Sequence, residues 1–309
     1  MSIRRTSNRS SQDTGFYNPE FFADVGSRIA FSIDPDADAY IAAVEAADGE
    51  SLESPIKQYF TDFILGCKYD NIWNSVKGGC ILVGARTRLG SYIDIKTKTQ
   101  LLSSYNFVDG DYSRSLGLSG NGSSKYLDSN ISHNVMSLDN GHVGLYVSKV
   151  HTAGNRTYIR SDSGSVTGLS KDTSSPPDTW VILDTGSSVP RFTDSTNPGF
   201  RALSRNASGS FIIFTDNAST VVTRTSSATP PGSGTFNIFA NKTPGNYSDS
   251  TLSFYSVGEY LDVSLLNSRV TTLIDNIYFF INTGLDAYNY NSKTVAYVNA
   301  GYRAGGSLS

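Results

Sequence analysis

Two hydrophobic periods divide the chain. From Asp34 to about residue 75, apolar residues recur at helical spacing, and beyond about residue 90 they alternate at period two. In DPDADAYIAAVEAADG, Asp34 stands as an N-cap, Pro35 as the first helical residue and Gly49 as the stop. In SPIKQYFTDFILGC, Ser54 reads as the cap and Pro55 as the first helical residue. Ile56, Phe60, Phe63 and Cys67 then share one face. A third short helix is expected at DNIWNSV, broken by Gly78-Gly79. Together these segments predict a helical module over residues 34–89.

The period-two region begins clearly with HVGLYVSKV, where Val143, Leu145 and Val147 fall on one face. TWVILD, GSFIIFTD, STVVTRT, TFNIFAN and TLSFYSV follow as short strands, with SSPPD, TPPGSG and TPGNYSD among the turn clusters between them. Short strands at this spacing predict an antiparallel β-sandwich over residues 90–284. No exact internal repeat points to a propeller or a β-helix instead.

A helix closes the sandwich. Leu252 and Phe254 alternate with Ser253 and Tyr255, and Gly258 permits a change of direction. Asp262 is the expected N-cap, and Leu261 and Leu266 are placed to form a hydrophobic staple. Leu266, Val270, Leu273 and Ile277 make one helical stripe. The helix ends in IYFFI, apolar on every face. Tyr278, Phe279 and Phe280 must therefore be covered on more than one side, by the N-terminal helices of the chain or by a neighbouring subunit. Residues 285–309 read as a Gly- and Ser-rich tail with one short apolar segment around Val295–Val298.

Residues 1–33 fit neither period. Arg and Ser dominate the first fifteen, which lack the apolar core of a signal peptide. Phe16, Tyr17, Phe21 and Phe22 follow in a short non-periodic run. This aromatic arm either packs on the chain's own core or docks on a neighbour, which makes the four residues candidates for an anchor.

Composition sharpens this picture by exclusion. Of 309 residues only 17% are charged, 12% are aromatic, and the net charge is −3. A broad surface for nucleic acid or anionic lipid is not expected from that balance. CILVGA and IYFFI, the longest apolar runs, are too short for membrane insertion. Cys67 and Cys80 read as buried free thiols, in keeping with assembly in a reducing cytoplasm.

Catalytic patterns are not found. A sandwich glycosidase of the E-x-D-x-x-E type would place carboxylates on one strand face, and the chain has no such run. Glu259 and Asp262 are three apart but fall at a turn and a cap. No G-x-S-x-G elbow occurs, and His133, His142 and His151 read as loop or strand-edge residues. Asp34, Asp36 and Asp38 begin like a calcium loop but lack its Gly and terminal Glu, so capping accounts for them. No catalytic residue, metal or cofactor is therefore expected. Tyr105, Tyr112 and Tyr126 flank polar turns and are candidates for stacking on sugar rings.

Three segments carry a resemblance. DNIWNSVKGGCILVGA, RSLGLSGNGSSKYLDSN and LSFYSVGEYLDVSLLNSRVTTLIDNI occur in that order. The strand, glycine turn and closing helix of the last resemble the end of concanavalin A-like, or laminin-G-like, jelly-roll domains. The ordered set is similar to tailed-bacteriophage virion structural proteins that carry such a domain, those of cyanophages in particular, over roughly residues 15–300. The resemblance implies a virion component assembled in the host cytoplasm, without enzymatic activity. It would be a tail-fibre or tail-associated subunit with a lectin-like sandwich, or alternatively a head decoration or capsid-fibre protein. A carbohydrate-active enzyme is the third alternative. The implied partners are other virion proteins, further copies of the chain in a homo-oligomer (a trimer by analogy with phage appendages), and a host cell-surface glycan.

Overall fold

The Asp34 carboxylate accepts hydrogen bonds from the backbone N–H groups of Asp36 and Ala37, at 3.0 and 3.1 Å, and so starts helix α1 (Pro35–Asp48). Gly49, at φ 75°, ends it with a bond from its N–H to the Glu45 carbonyl. Helix α2 (Ser54–Tyr69) begins one residue earlier than its Ser-Pro pair suggests. Glu53 is the N-cap, and it makes no side-chain cap bond. Its carboxylate is instead gripped by both terminal nitrogens of Arg114, at 3.1 and 2.8 Å. This is a computed structural model. It describes residues 34–100, 103–151, 154–172, 178–183, 191–193, 197–215, 217–241, 245–290, 295 and 299, without the side chains of 172, 178–183 and 191–193. The aromatic arm, with Phe16, Tyr17, Phe21 and Phe22, lies outside the described residues.

The expected third helix does not form. Ile72 and Trp73 fold back onto the end of α2, both donating to the Cys67 carbonyl, at 2.9 and 3.0 Å. Val76 then opens strand β1 (Val76–Ile81). Gly78 and Gly79 are not breakers but interior strand residues. A Cβ on Gly79 would lie 2.1 Å from the Tyr255 carbonyl oxygen, so the glycine permits a close approach of two backbones. Seven residues offer a helix little, whereas pairing with the closing strand satisfies the same backbone groups. The segment expected to be helical thus also supplies a sheet strand.

Two antiparallel sheets follow. The larger runs β13 (Ala218–Thr223), β12 (Ser210–Thr215), β11 (Gly199–Ala207), β6 (Gly141–Lys149), β15 (Thr251–Gly258), β4 (Gly117–Ser119) and β3 (Tyr112–Ser113), with β1 also paired to β15. The smaller runs β10 (Arg191–Thr193), β9 (Asp178–Leu183), β8 (Thr167–Asp172), β7 (Asn155–Ser161), β14 (Thr235–Ile238), β5 (Tyr126–Ser132) and β2 (Ser104–Tyr105). This is the expected β-sandwich with a closing helix.

The core has two parts, one on each face of the larger sheet. Between the sheets, Val143, Leu145, Val147, Leu203 and Val257 meet Leu127, Tyr158, Leu169, Phe236 and Ile238. On the outer face, Tyr146, Phe200, Ala202, Phe214 and Phe254 pack with α1, α2 and the closing helix α3 (Val263–Thr283). Every residue of β15 is buried because both its faces are covered. Its pairing with β6 shifts register between Leu252 and Phe254, which lets Leu252 and Tyr255, three residues apart, enter the same inter-sheet core. The described residues from Asp34 onward form one compact unit.

Helix α3 is built as its sequence predicts. Asp262 accepts from the Ser264 N–H at 2.8 Å, Leu261 and Leu266 are buried together, and the stripe through Ile277 faces the core. Gly258 differs from expectation. A Cβ there would lie 2.1 Å from the Ser75 carbonyl oxygen, so it serves close packing against the start of β1. The IYFFI end is covered largely from within: Tyr278 and Phe279 are 6% and 2% exposed, and Phe279 tilts against Tyr290 at 5.5 Å. That corrects their candidacy as subunit contacts and leaves Phe280, half-buried, as the one of the three with open surface. Val295 joins this core, and the Asn299 side-chain amide donates to the Asp275 carbonyl at 2.9 Å. Among the described residues no helix is long and apolar enough to cross a membrane.

Candidate functional site

Strands β2 and β5 pair Tyr105 directly with Tyr126 at the edge of the smaller sheet. Their rings stack at 4.2 Å with an interplanar angle of 6°. Tyr247 adds a third ring, 6.3 Å from Tyr126 and inclined at 51°. Tyr105 is 44% exposed and is the outermost of the three. Burial raises the Tyr126 phenol to about 12, and its hydrogen bond to Tyr105 and the phenols beside it add to the effect.

The loops that frame these rings are held by polar side chains. The Asn121 side-chain oxygen Oδ1 accepts from the N–H groups of Ser123, Ser124 and Lys125 at 2.9–3.1 Å, which fixes the Asn-Gly turn ahead of β5. That turn leans on the Tyr247 loop, with the Gly120 N–H donating to the Ser250 carbonyl and that of Gly122 to the Ser248 carbonyl. Asn106, at φ 62°, sends its amide to the Ser124 carbonyl at 2.9 Å. Lys125 pairs with Asp111. The outcome is a rigid aromatic shelf bordered by amides and hydroxyls, chemistry suited to the apolar face and polar rim of a sugar ring.

Tyr112 does not belong to the shelf. Its hydroxyl donates to the Ala85 carbonyl at 2.8 Å, its ring packs against both parts of the core, and burial drives its phenol far above the usual range. It sits on the larger sheet, a placement that its polar neighbours in sequence do not disclose. The sequence does not single out Tyr247, because it stands inside the turn cluster TPGNYSD. Its only local signal is an aromatic residue among turn formers.

The other candidates are occupied structurally. Asp262 caps α3, and Glu259 pairs with Lys77 at 3.1 Å. The histidines are all buried rather than peripheral, at 0%, 0% and 3% exposure for His133, His142 and His151. His142 lies inside the central strand β6, and burial lowers the pKa of all three rings. Cys67 and Cys80 are free and buried, and burial raises both thiols. Among the described residues no group of three or more His, Cys, Asp or Glu is placed to hold a metal ion.

No protein-family model matches the chain, and no curated protein sequence matches it. Solved structures that match include the NanB sialidase of Streptococcus pneumoniae, 9% identical at a TM-score of 0.37 over 48% of this chain and 26% of that one. A mutant Trypanosoma rangeli sialidase displaying trans-sialidase activity is 11% identical at 0.45, over 70% and 39%. The CBM40 of Ruminococcus gnavus IT-sialidase, bound to alpha2,3 sialyllactose, is 8% identical at 0.33, over 42% and 82%. The chain thus spans well under half the length of either sialidase. At these TM-scores the overlap says nothing about what this chain binds.

Proposed function

We propose that the chain is a structural protein of a tailed-bacteriophage virion, a tail-fibre or tail-associated subunit, and that its sandwich binds host-surface glycan at the tyrosine shelf. The binding part rests on one observation: an exposed ring, Tyr105, stacked on a second and backed by a third at a sheet edge. The virion part rests on the ordered resemblance of three segments. In support of it, those segments meet around one strand, because β1 and β4 both pair with β15.

Tyr105→Ala tests the shelf. An aromatic stacking partner contributes about 0.5–1.5 kcal/mol, so affinity for host surface polysaccharide should fall by roughly twofold to tenfold. Tyr112→Phe should lower stability by about 1 kcal/mol and leave affinity unchanged. Equal binding by wild type and Tyr105→Ala, measured by calorimetry, would remove the shelf as the site. Release of shortened polysaccharide would favour the enzyme alternative.

Deletion of residues 1–33 tests the arm. The cut falls just before the Asp34 cap, so α1 and the whole described core are retained. The expected result is a folded protein that fails to join particles. Normal incorporation would exclude the arm as anchor, and a hundred or more copies per particle would favour the head-decoration alternative.

A further inference from the structure

Away from the tyrosine shelf, an open cleft of about 470 Å³ is lined by Asp36, Lys68, Asn71, Trp73, Asn74, Lys96 and Lys98. Its charges are unequal. Lys68 bridges Asp34 and Asp36, each at 2.8 Å, and Lys98 pairs with Asp36 at 2.6 Å. Nearby, Lys77 is engaged by Glu259. Lys96 has no carboxylate partner among the described residues. Its ammonium donates to the Trp73 carbonyl at 2.9 Å and sits 3.9 Å from the centre of the Trp73 ring.

The position of Lys96 is fixed from below. One Asp94 carboxylate oxygen accepts from the N–H groups of Lys96 and Thr97, at 2.8 and 2.7 Å, and the other from the Gly79 N–H at 2.8 Å. Lys98 completes the turn at φ 58°. Trp73 is held in turn by its indole N–H, which donates to Asp36 at 3.2 Å. The cation is therefore preorganised, half-buried and left with donor capacity toward the cleft, while Asn71 and Asn74 present exposed amides at its rim.

We propose that this cleft binds a small acidic sugar, its carboxylate or phosphate seated on Lys96 and its hydroxyls on Asn71 and Asn74. The volume is that of a small-molecule site, and a single extra cation selects an oxyanion over a neutral sugar. The pH dependence follows from the surroundings of Lys96. Burial lowers its pKa to about 8, with Lys98, Lys77 and Lys68 adding to the fall and Asp36 opposing it. Binding should be strongest below pH 8 and weaken above it as the ammonium loses its proton.

Glucuronate, glucose 6-phosphate and glucose are the probes, titrated calorimetrically into the full chain. One or both acids should bind at least about tenfold more tightly than glucose at pH 7, with carboxylate and phosphate distinguished by which one does. Lys96→Met keeps the aliphatic stem on Trp73 and removes the charge. It should abolish the preference for the acid while the melting temperature is maintained or raised. Acids that bind no better than glucose, or a Lys96→Met protein that stays folded and keeps the preference, would overturn the proposal. Tyr105→Ala should leave this binding unchanged, so failure here is separable from failure of the shelf.

Discussion

Phe254→Ala is expected to cost about 3–5 kcal/mol of stability and to lower the melting temperature by on the order of 10 °C, in one transition. Phe254 is fully buried on β15 and projects into the helical side of the core, where it meets Phe63 of α2 edge-on at 5.7 Å. Its neighbours are fixed by a sheet below and three helices above, so the space left by the ring cannot close. The cost should be felt by helices and sheets together, because the helices cover the outer face of the same sheet whose inner face closes the sandwich. Circular dichroism and calorimetry on the variant provide the test. Separate melting of helical and sheet signals would show that the helices form an independent module and would contradict the shared core.

Acidification should produce the second large effect. His142 is fully buried in β6, and its Nδ1–H donates to the Glu259 carbonyl at 2.6 Å, while Nε2 lies 3.3 Å from the Ser256 hydroxyl. Burial lowers its pKa to about 4, and the Glu259 carbonyl only partly opposes that. An unfolded histidine titrates near 6.5. Between these values the unfolded chain takes up a proton that the folded chain refuses. Stability is therefore fully present above about pH 6.5 and is lost as the pH falls toward 4, by about 3 kcal/mol from this one ring. His133 and His151 act in the same direction. The carboxylates of Asp34, Asp36, Glu45 and Glu53 are held low by lysine and arginine partners despite partial burial, so their contributions are intact above about pH 5 and begin to fall only at the acid end of this range. Urea melts at pH 7.5, 5.5 and 4.5 should show this slope, and His142→Gln should flatten it. An unchanged slope in the variant would assign the acid sensitivity to other groups.

Periodicity made the three helices and strands β6, β9, β12, β13, β14 and β15 legible. Caps announce themselves locally: Asp34 and Asp262 each lie next to the N–H groups they accept from, and Gly49 adopts the left-handed conformation that stops a helix. The stripe of α3 and the alternation of β6 are likewise short-range facts. The DNIWNSV segment reads locally as a helix because its competitor, strand β15, lies nearly two hundred residues away. The burial of His142 was illegible for a similar reason. Sequence gives its strand but not that helices cover one face of that strand and a second sheet the other.

The candidate sites divide along the same line. Tyr105 and Tyr126 could each be singled out as turn-flanking aromatics, but only strand pairing stacks them, and only loop packing brings Tyr247 beside them. Lys96 and Lys98 are close in sequence, yet their imbalance with Asp36 and Lys68 exists only once the turn after β1 is laid against α1 and α2. The sequence by itself determined the caps at Asp34 and Asp262, the helical stripes and the clearly alternating strands, whose spacing carried the sandwich class, because each depends on residues close together in the chain. Tertiary structure alone decided which faces are covered, which rings meet and which cation is left over, because those depend on contacts between residues far apart in the chain.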